Sequence, residues 1–328
     1  MAIAMARAGG IGIVHRMFSP EEQAAAVVAT KKADPGGNPR TTVDSAGRLR
    51  VGGAVGIKSD YLDRARLLVE SKVDFLAIDV AHGHSDFVIA ALKELKARYP
   101  HLECVAGNVA TAGGARDLIE AGADCIKVGI GPGSVCTTRL VTGAGMPQLT
   151  AILDCAAVTR EAGVGLIADG GIRTSGDMAK AIAAGASTVM LGKLLAGADE
   201  SEAQEVDHQG RRFKVTTGFV TLGAELTLKR LGGDTISRAD LDNYLPEGVE
   251  GTFEHSGPVA DTLGTLVRGF RSGITYSGCA AAAELANRAR FVRVSHAGHA
   301  EGRPHVREGV PALHPDYAQL FVVERGAD

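Results

Sequence analysis

CIKVGIG, residues 125–131, is a short run that ends in glycine and leads straight into the polar, glycine-rich stretch GPGSVCTTRLVTGAG, residues 131–145. A buried strand that stops where a loop rich in chemistry begins is one half of a βα unit. Six further runs repeat the pattern: GIGIVH (10–15), RVGGAVG (50–56), VDFLAIDV (73–80), LECVAGN (102–108), GLIADGG (165–171) and STVMLGK (187–193). Helical stretches of Ala, Leu, Glu and Lys separate them, which predicts a parallel α/β sheet. Several strands end in Gly, Asp or Asn, where polar loops gather on one face, and this favours a TIM (β/α)8 barrel over an open sheet. Only seven runs are found and the first begins within a dozen residues of Met1, so the first barrel strand is expected to be missing from this chain or supplied from upstream.

The polar, turn-rich KKADPGGNPRTTVDSAGRL (31–49) interrupts the pattern early, and a long excursion of mixed helix and loop is expected at about 216–257 as a mobile flap. Helices are expected around 259–270 and 280–290, then an irregular C-terminal arm at about 296–328. The whole of 1–328 reads as a single catalytic domain.

Composition narrows the partner. The chain has 328 residues, 45% of them hydrophobic, with a net charge of −3 and no basic run longer than a pair such as Lys31-Lys32 or Arg211-Arg212, so no nucleic-acid footprint is predicted. No apolar run reaches the roughly 18 residues of a membrane helix. Five cysteines without CxxC spacing indicate neither a disulfide framework nor zinc, and suit a reducing cytoplasm. A small-molecule ligand is expected.

Cys136 sits between glycine runs, with Ser134, Thr137 and Thr138 supplying hydroxyls around it. Such a loop lets a sulfur approach a ring carbon closely, so a nucleophile is one reading, and a structural cysteine beside a tight turn is the other. Cys104, Cys125 and Cys155 lie in apolar patterns and read as core. Gly170, Gly171, Gly192 and Lys193 follow consecutive strands, where barrels hold phosphate, and Asp169 is placed to accept bonds from sugar hydroxyls. Asp79, His82 and His84 share another strand end; a metal there needs a third ligand that nothing signals, leaving a base, a cofactor contact or plain loop polarity. Neither GxGxxG after a strand nor GxxxxGK[ST] occurs, so a nicotinamide cofactor would not be bound by a Rossmann module.

Together, GIGPGSVCTTR, AIDVAHGHS, CVAGNVAT, IADGGIRTSGD, STVMLG, LPEGVEG and the opening MAIAMARAGGIGIVHR resemble the IMP dehydrogenase / GMP reductase family over nearly the whole chain. The resemblance implies a cytoplasmic, usually tetrameric barrel oxidoreductase that acts at C2 of a purine nucleotide through a covalent thioimidate. It makes Cys136 the nucleophile and Thr138 the activating hydroxyl, with Glu247 facing the purine ring. Ser134, Asp169, Gly170, Gly171 and Gly192, joined by Lys193, become nucleotide contacts. Asp79 and Asn108, with His82 and Gly83, lie where the family holds its nicotinamide cofactor. Potassium, where the family binds it, would meet carbonyls of Gly131, Gly133 and Cys136 and, from a neighbour's tail, Glu301, Gly302 and Arg303. The regulatory domains that many dehydrogenases insert near residues 32–45 are absent.

Which member is implied depends on the flap. The dehydrogenase uses an arginine followed by tyrosine as base, whereas here Arg238 precedes alanine and Tyr244 lies six residues on. That favours NADPH-dependent reduction of GMP to IMP and ammonia. GRLRVG, RLVTGAG, LPEGVEG and ARFVRVSHAG resemble the dehydrogenase instead, keeping NAD-dependent oxidation of IMP as the alternative, and a silent nucleotide-binding paralogue as another. Thr216 replaces the family's phosphate-binding tyrosine and Lys193 its serine, a rebuilt pocket that also suits a modified guanine nucleotide.

Overall fold

The computed structural model describes residues 1–303 except 58–59, 219–220, 232, 234, 239–241 and 243, together with the side chain of Thr217. Those flap positions, and the arm beyond 303, lie outside the described residues. The chain divides into two units, Met1–Ala289 and Arg290 onward.

All seven expected runs are strands: β1 (Gly12–Val14), β2 (Val51–Val55), β3 (Phe75–Ile78), β4 (Glu103–Val109), β5 (Cys125–Val128), β6 (Gly165–Asp169) and β7 (Thr188–Met190). They form one parallel sheet in chain order. Local chemistry sets the helix starts. Ser19 and Glu22 exchange bonds in a capping box ahead of α2 (Pro20–Lys32), with Pro20 in the first turn where its missing N–H costs nothing. Thr174 and Asp177 do the same for α8 (Ser175–Ala183), and Ser85 and Thr111 cap α4 (Asp86–Arg98) and α5 (Ala112–Glu120).

Alternate residues of a strand face opposite ways. Leu76, Ile78, Ile126, Val128, Leu166 and Ala168 join the helices in one large core. Residues of the other parity, Phe75, Ala77, Val105, Cys125 and Ile167, close with Ile13 and Met190 into a separate cluster to which no helix contributes. The sheet is therefore curled, with this cluster on its concave face. Consistently, Ala4 and Met5 of α1 (Ala2–Arg7) pack with Leu191, Leu195 and Val259, so the helix before the first strand meets the segments after the last one. Among the described residues β1 and β7 share no ladder.

The excursion expected as helix and loop contains more order than that. β8 (Gln204–His208), β9 (Arg211–Thr217) and β10 (Glu250–Glu254) form an antiparallel sheet in the order β10-β9-β8, with α10 (Leu222–Leu231) between β9 and β10. These strands are rich in charge and their apolar face is thin, little more than Val206, Phe213 and Val215, which hid them. The next helix, α11 (Val259–Tyr276), runs beyond its expected end and packs on α8 so closely that a Cβ at Gly269 would stand 2.2 Å from Ser175 Oγ. The last expected helix is a 3-10 turn (Ala282–Glu284) continued by a short α12 (Leu285–Arg288). In the second unit the arm, expected to be irregular, carries α13 (His296–Glu301), capped by Ser295. Among the described residues no helix is long and apolar enough to cross a membrane.

Candidate active site

The concave face changes character toward the carboxyl ends of the strands. Two residues beyond Ala77, Cys125 and Ile167, strand parity places Asp79, Lys127 and Asp169 on that same face. Lys127 is buried, and its Nζ donates to Asp79 Oδ1 at 3.0 Å, to Asp169 Oδ2 at 2.8 Å and to Asn108 Oδ1. Burial alone would lower its pKa, but Asp169 and then Asp79 outweigh that and hold it above the ordinary lysine range. Asn108 completes the network by donating from Nδ2 to Gly129 O at 2.7 Å and to Asp169 Oδ2 at 2.9 Å. Its amide thus acts inside the protein, bracing Asp169.

Around this floor the cysteine loop is held by side chains and by backbone. Gln148 Nε2 donates to Val128 O at 2.9 Å and Asp169 O at 3.1 Å, while Arg139 donates to the carbonyls of Ile130 and Met146. Gly170, at φ +90°, has no room for a side chain, since a Cβ would come within 2.7 Å of Pro132 Cγ. Gly171 is also left-handed, at φ +79°. Across the loop, Thr137 N donates to Glu247 O at 2.7 Å and Val249 N to Val135 O at 2.8 Å, flanking an antiparallel bridge between Cys136 and Gly248. The Cys136 N–H bonds Gly133 O at 3.2 Å, and its Sγ donates to Thr138 Oγ1 at 3.2 Å. Cys136 is half-buried at this crossing. By contrast, burial pushes the Cys104 and Cys125 thiols up to about 11 and the Cys155 thiol up to about 12, as their core reading requires.

The structure therefore brings Cys136, Thr138 and the Glu247 backbone into one cluster, and Asp79, Asn108 and Asp169 into another through Lys127. Ser134 is exposed on the loop. Gly131 is left-handed at φ +81°. Gly192 caps and Lys193 opens α9 (Lys193–Ala196), both exposed. Gly83 is buried, its N–H on Asn108 O at 2.7 Å, and His82 is exposed. His84 turns away to Asp117 at 2.7 Å, and among the described residues no three His, Cys, Asp or Glu side chains converge to hold a metal. In the second unit, Gly302 N bonds Gly298 O at 3.2 Å at the end of α13, between Glu301 and Arg303.

On the flap, Arg238 Nε lies 3.2 Å from both oxygens of Asp242. Burial, then Glu225 and Glu247, raise the Tyr244 phenol above its ordinary pKa.

Sequence reasoning missed Lys127, Gln148 and Arg139. The signal for Lys127 was available: a lysine in the middle of a strand whose neighbours Ile126 and Val128 are wholly buried. Concavity is a poor guide here. Two clefts of about 510 and 500 Å³ lie beside Thr159, Met178 and Phe270 and beside Arg173, Ser175 and Thr262, and neither includes Cys136.

Known proteins resemble this chain over most of its length. The family described as "IMP dehydrogenase / GMP reductase domain" matches residues 1–305. An inosine-5′-monophosphate dehydrogenase from Aquifex aeolicus is 49% identical over 267 residues, 81% of this chain and 54% of that protein. A GMP reductase from Leishmania donovani is 48% identical over 275 residues, 82% of this chain and 55% of that protein. A crystal structure of a cysteine-to-alanine GMP reductase from Trypanosoma brucei in complex with guanosine 5′-monophosphate is similar at a TM-score of 0.78 and 47% identity, covering 82% of this chain and 55% of that one. The chain thus spans about half the length of the curated relatives it matches.

Proposed function

The chain belongs to the IMP dehydrogenase / GMP reductase family, and from that premise we propose that it carries out NADPH-dependent reductive deamination at C2 of GMP or a modified guanine nucleotide. The observation that carries the reductive direction is the flap: Arg238 is paired with Asp242, and burial, then Glu225 and Glu247, push the Tyr244 phenol above its ordinary pKa. Neither supplies the base that hydrolysis of a thioimidate to XMP requires, whereas reductive release needs no activated water.

In this reading Cys136 Sγ attacks C2 of the guanine ring. Thr138 Oγ1, which already accepts the thiol's bond, receives the proton and passes it toward the departing amino group. Ammonia leaves, a C2 thioimidate remains on Cys136, and hydride delivered to C2 lets the C–S bond break, with its electron pair returning to sulfur and IMP released. NADPH, when bound, supplies that hydride and leaves as NADP⁺. Glu247, tied by its backbone to Thr137, faces the purine. Ser134, Gly170, Gly171, Gly192 and Lys193 receive the phosphate, with the Lys193 ammonium offsetting the tyrosine that Thr216 replaces. Asp169 takes the ribose.

A partly exposed carboxylate and an exposed imidazole fit the amide and hydroxyl donors of a nicotinamide riboside, so Asp79 and His82, above buried Gly83, are the residues that would hold the cofactor. A potassium ion, a homotetramer and a cytoplasmic setting accompany the same family reading. The carbonyls of Gly131, Gly133 and Cys136, with Glu301, Gly302 and Arg303 from a second copy, would hold the ion. Closure into an eight-stranded barrel requires one more strand between β7 and β1.

A second reading, oxidation of IMP with NAD, is favoured by the dehydrogenase relative, which is as similar as the reductase. Loss of NADPH absorbance with GMP and release of ammonia, abolished in Cys136→Ala, establishes the reductase. Growth of NADH with IMP overturns it in favour of the dehydrogenase. Activity with neither, but a trapped Cys136 adduct with a modified guanine nucleotide, redirects the substrate, and absence of any adduct leaves a binding protein.

A further inference from the structure

We infer that Lys127 is a positioning residue whose hold on Asp169 makes the site discriminate a ribonucleotide from its 2′-deoxy form. The inference rests on the nucleotide reading proposed for this site and concerns a residue that touches no ligand. An ammonium has three protons to donate, and here Asp79, Asn108 and Asp169 take all three. Lys127 is thus no general base or nucleophile. Its effect must pass through its partners.

The geometry says which partner. Asp169 Oδ2 accepts from both Lys127 Nζ and Asn108 Nδ2, at 2.8 and 2.9 Å, and Asn108 is itself anchored to Gly129 O. Two donors on one oxygen fix the plane of the carboxylate and leave Oδ1 to accept from a ligand. Burial is graded in the same sense: the lysine side chain is 4% exposed, the Asp169 side chain 24%. A partly exposed carboxylate of fixed orientation recognises paired hydroxyl donors, as a ribose presents. A hydrogen bond to a charged group contributes about 1.5–3 kcal/mol, or roughly 10- to 150-fold in affinity. A ligand lacking one hydroxyl forfeits that only if the carboxylate is already aimed.

The experiment is calorimetric titration of GMP and 2′-deoxy-GMP into the wild-type protein and Lys127→Met, with the rate of Cys136 alkylation by iodoacetamide as a control on the loop. The wild type should prefer GMP by at least about tenfold. In Lys127→Met the preference should fall to about threefold or less, with GMP affinity reduced and Cys136 alkylation unchanged. Equal losses for both nucleotides, with the preference intact, overturn the inference and make Lys127 a purely structural ion. If the wild type binds neither nucleotide, the nucleotide reading fails and takes this inference with it. Binding of both without preference removes the inference alone. Should Lys127→Met not fold, the Lys127→Met/Asp79→Asn pair, which removes one of the stranded charges, carries the same comparison.

Discussion

Two lysines of this protein each bridge two aspartates, at opposite ends of the same sheet. At the amino ends, Lys31 on α2 bonds Asp44 Oδ2 at 3.2 Å and Asp74 Oδ2 at 2.6 Å. At the carboxyl ends, Lys127 on β5 bonds Asp79 and Asp169. The donors are alike, but the acceptors are not. Asp44 is saturated, by the N–H groups of Ala46 and Arg48 and by the Arg48 guanidinium besides Lys31, and Asp74 also takes the Val51 N–H at 2.6 Å. Their side chains are 13% and 16% exposed, against 31% and 24% for Asp79 and Asp169. One cluster is closed and clasps the 43–49 turn, bridged at Val43 and Leu49, to the sheet. The other is left open toward solvent. This is how a barrel-type fold divides its labour, with stability at one end of the strands and chemistry at the other.

Substitutions can break or sharpen that contrast. The largest effect should come from Lys31→Met, which takes the ammonium from the mostly buried Asp74 while Asp44 keeps Arg48, and should cost about 3 kcal/mol, read from the denaturant midpoint. Turnover per folded molecule should stay within about twofold, because the clasp lies far from the chemistry. A matching loss of turnover would erase the distinction. Lys127→Met should do the reverse, lowering turnover with GMP and NADPH by about 100-fold through misplaced ligand contacts, beyond what its folded fraction explains.

The clasp should also show itself with pH. Burial would raise the Asp44 pKa, but the Arg48 and Ala46 N–H groups, the Arg48 guanidinium and Lys31 hold it well below the usual carboxylate range. A depressed folded-state pKa gives stability that is present above the unfolded value of about 3.9 and is lost as pH falls below it. Urea midpoints of the wild type should therefore fall between about pH 4 and pH 2 more steeply than those of Asp44→Asn; parallel curves would show that the clasp is electrostatically idle. Ser19→Ala, which opens the capping box of the helix bearing Lys31, should cost about 1 kcal/mol in thermal unfolding and leave turnover untouched.

Much of this was legible in one dimension. Each barrel-type strand announces itself by a short apolar run ending in Gly, Asp or Asn, and the Cys136–Thr138 contact is a matter of spacing two residues apart. Asp79 and Asp169 were readable as polar strand ends. Their union was not, because Lys127 lies in a run that reads as ordinary core, and only the curl of the sheet turns its side chain inward to meet carboxylates 48 and 42 residues away. The antiparallel sheet was hidden for another reason. QEVDH and EGTFE carry no alternation of apolar and polar residues deep enough to mark a buried face, and the hairpin between β8 and β9 turns through Gln209 and Gly210, both at positive φ, without the usual Asn-Gly.

The ladder that joins residues 135–137 to 247–249 is made wholly of peptide groups. Its register is consequently indifferent to the identity of nearly every side chain along it, proline at 137 or 249 excepted, since each of those positions must donate an N–H. The side chains around the loop can therefore change while the sulfur stays at the same address. In such a scaffold the lining of the loop is decoupled from the placement of its sulfur.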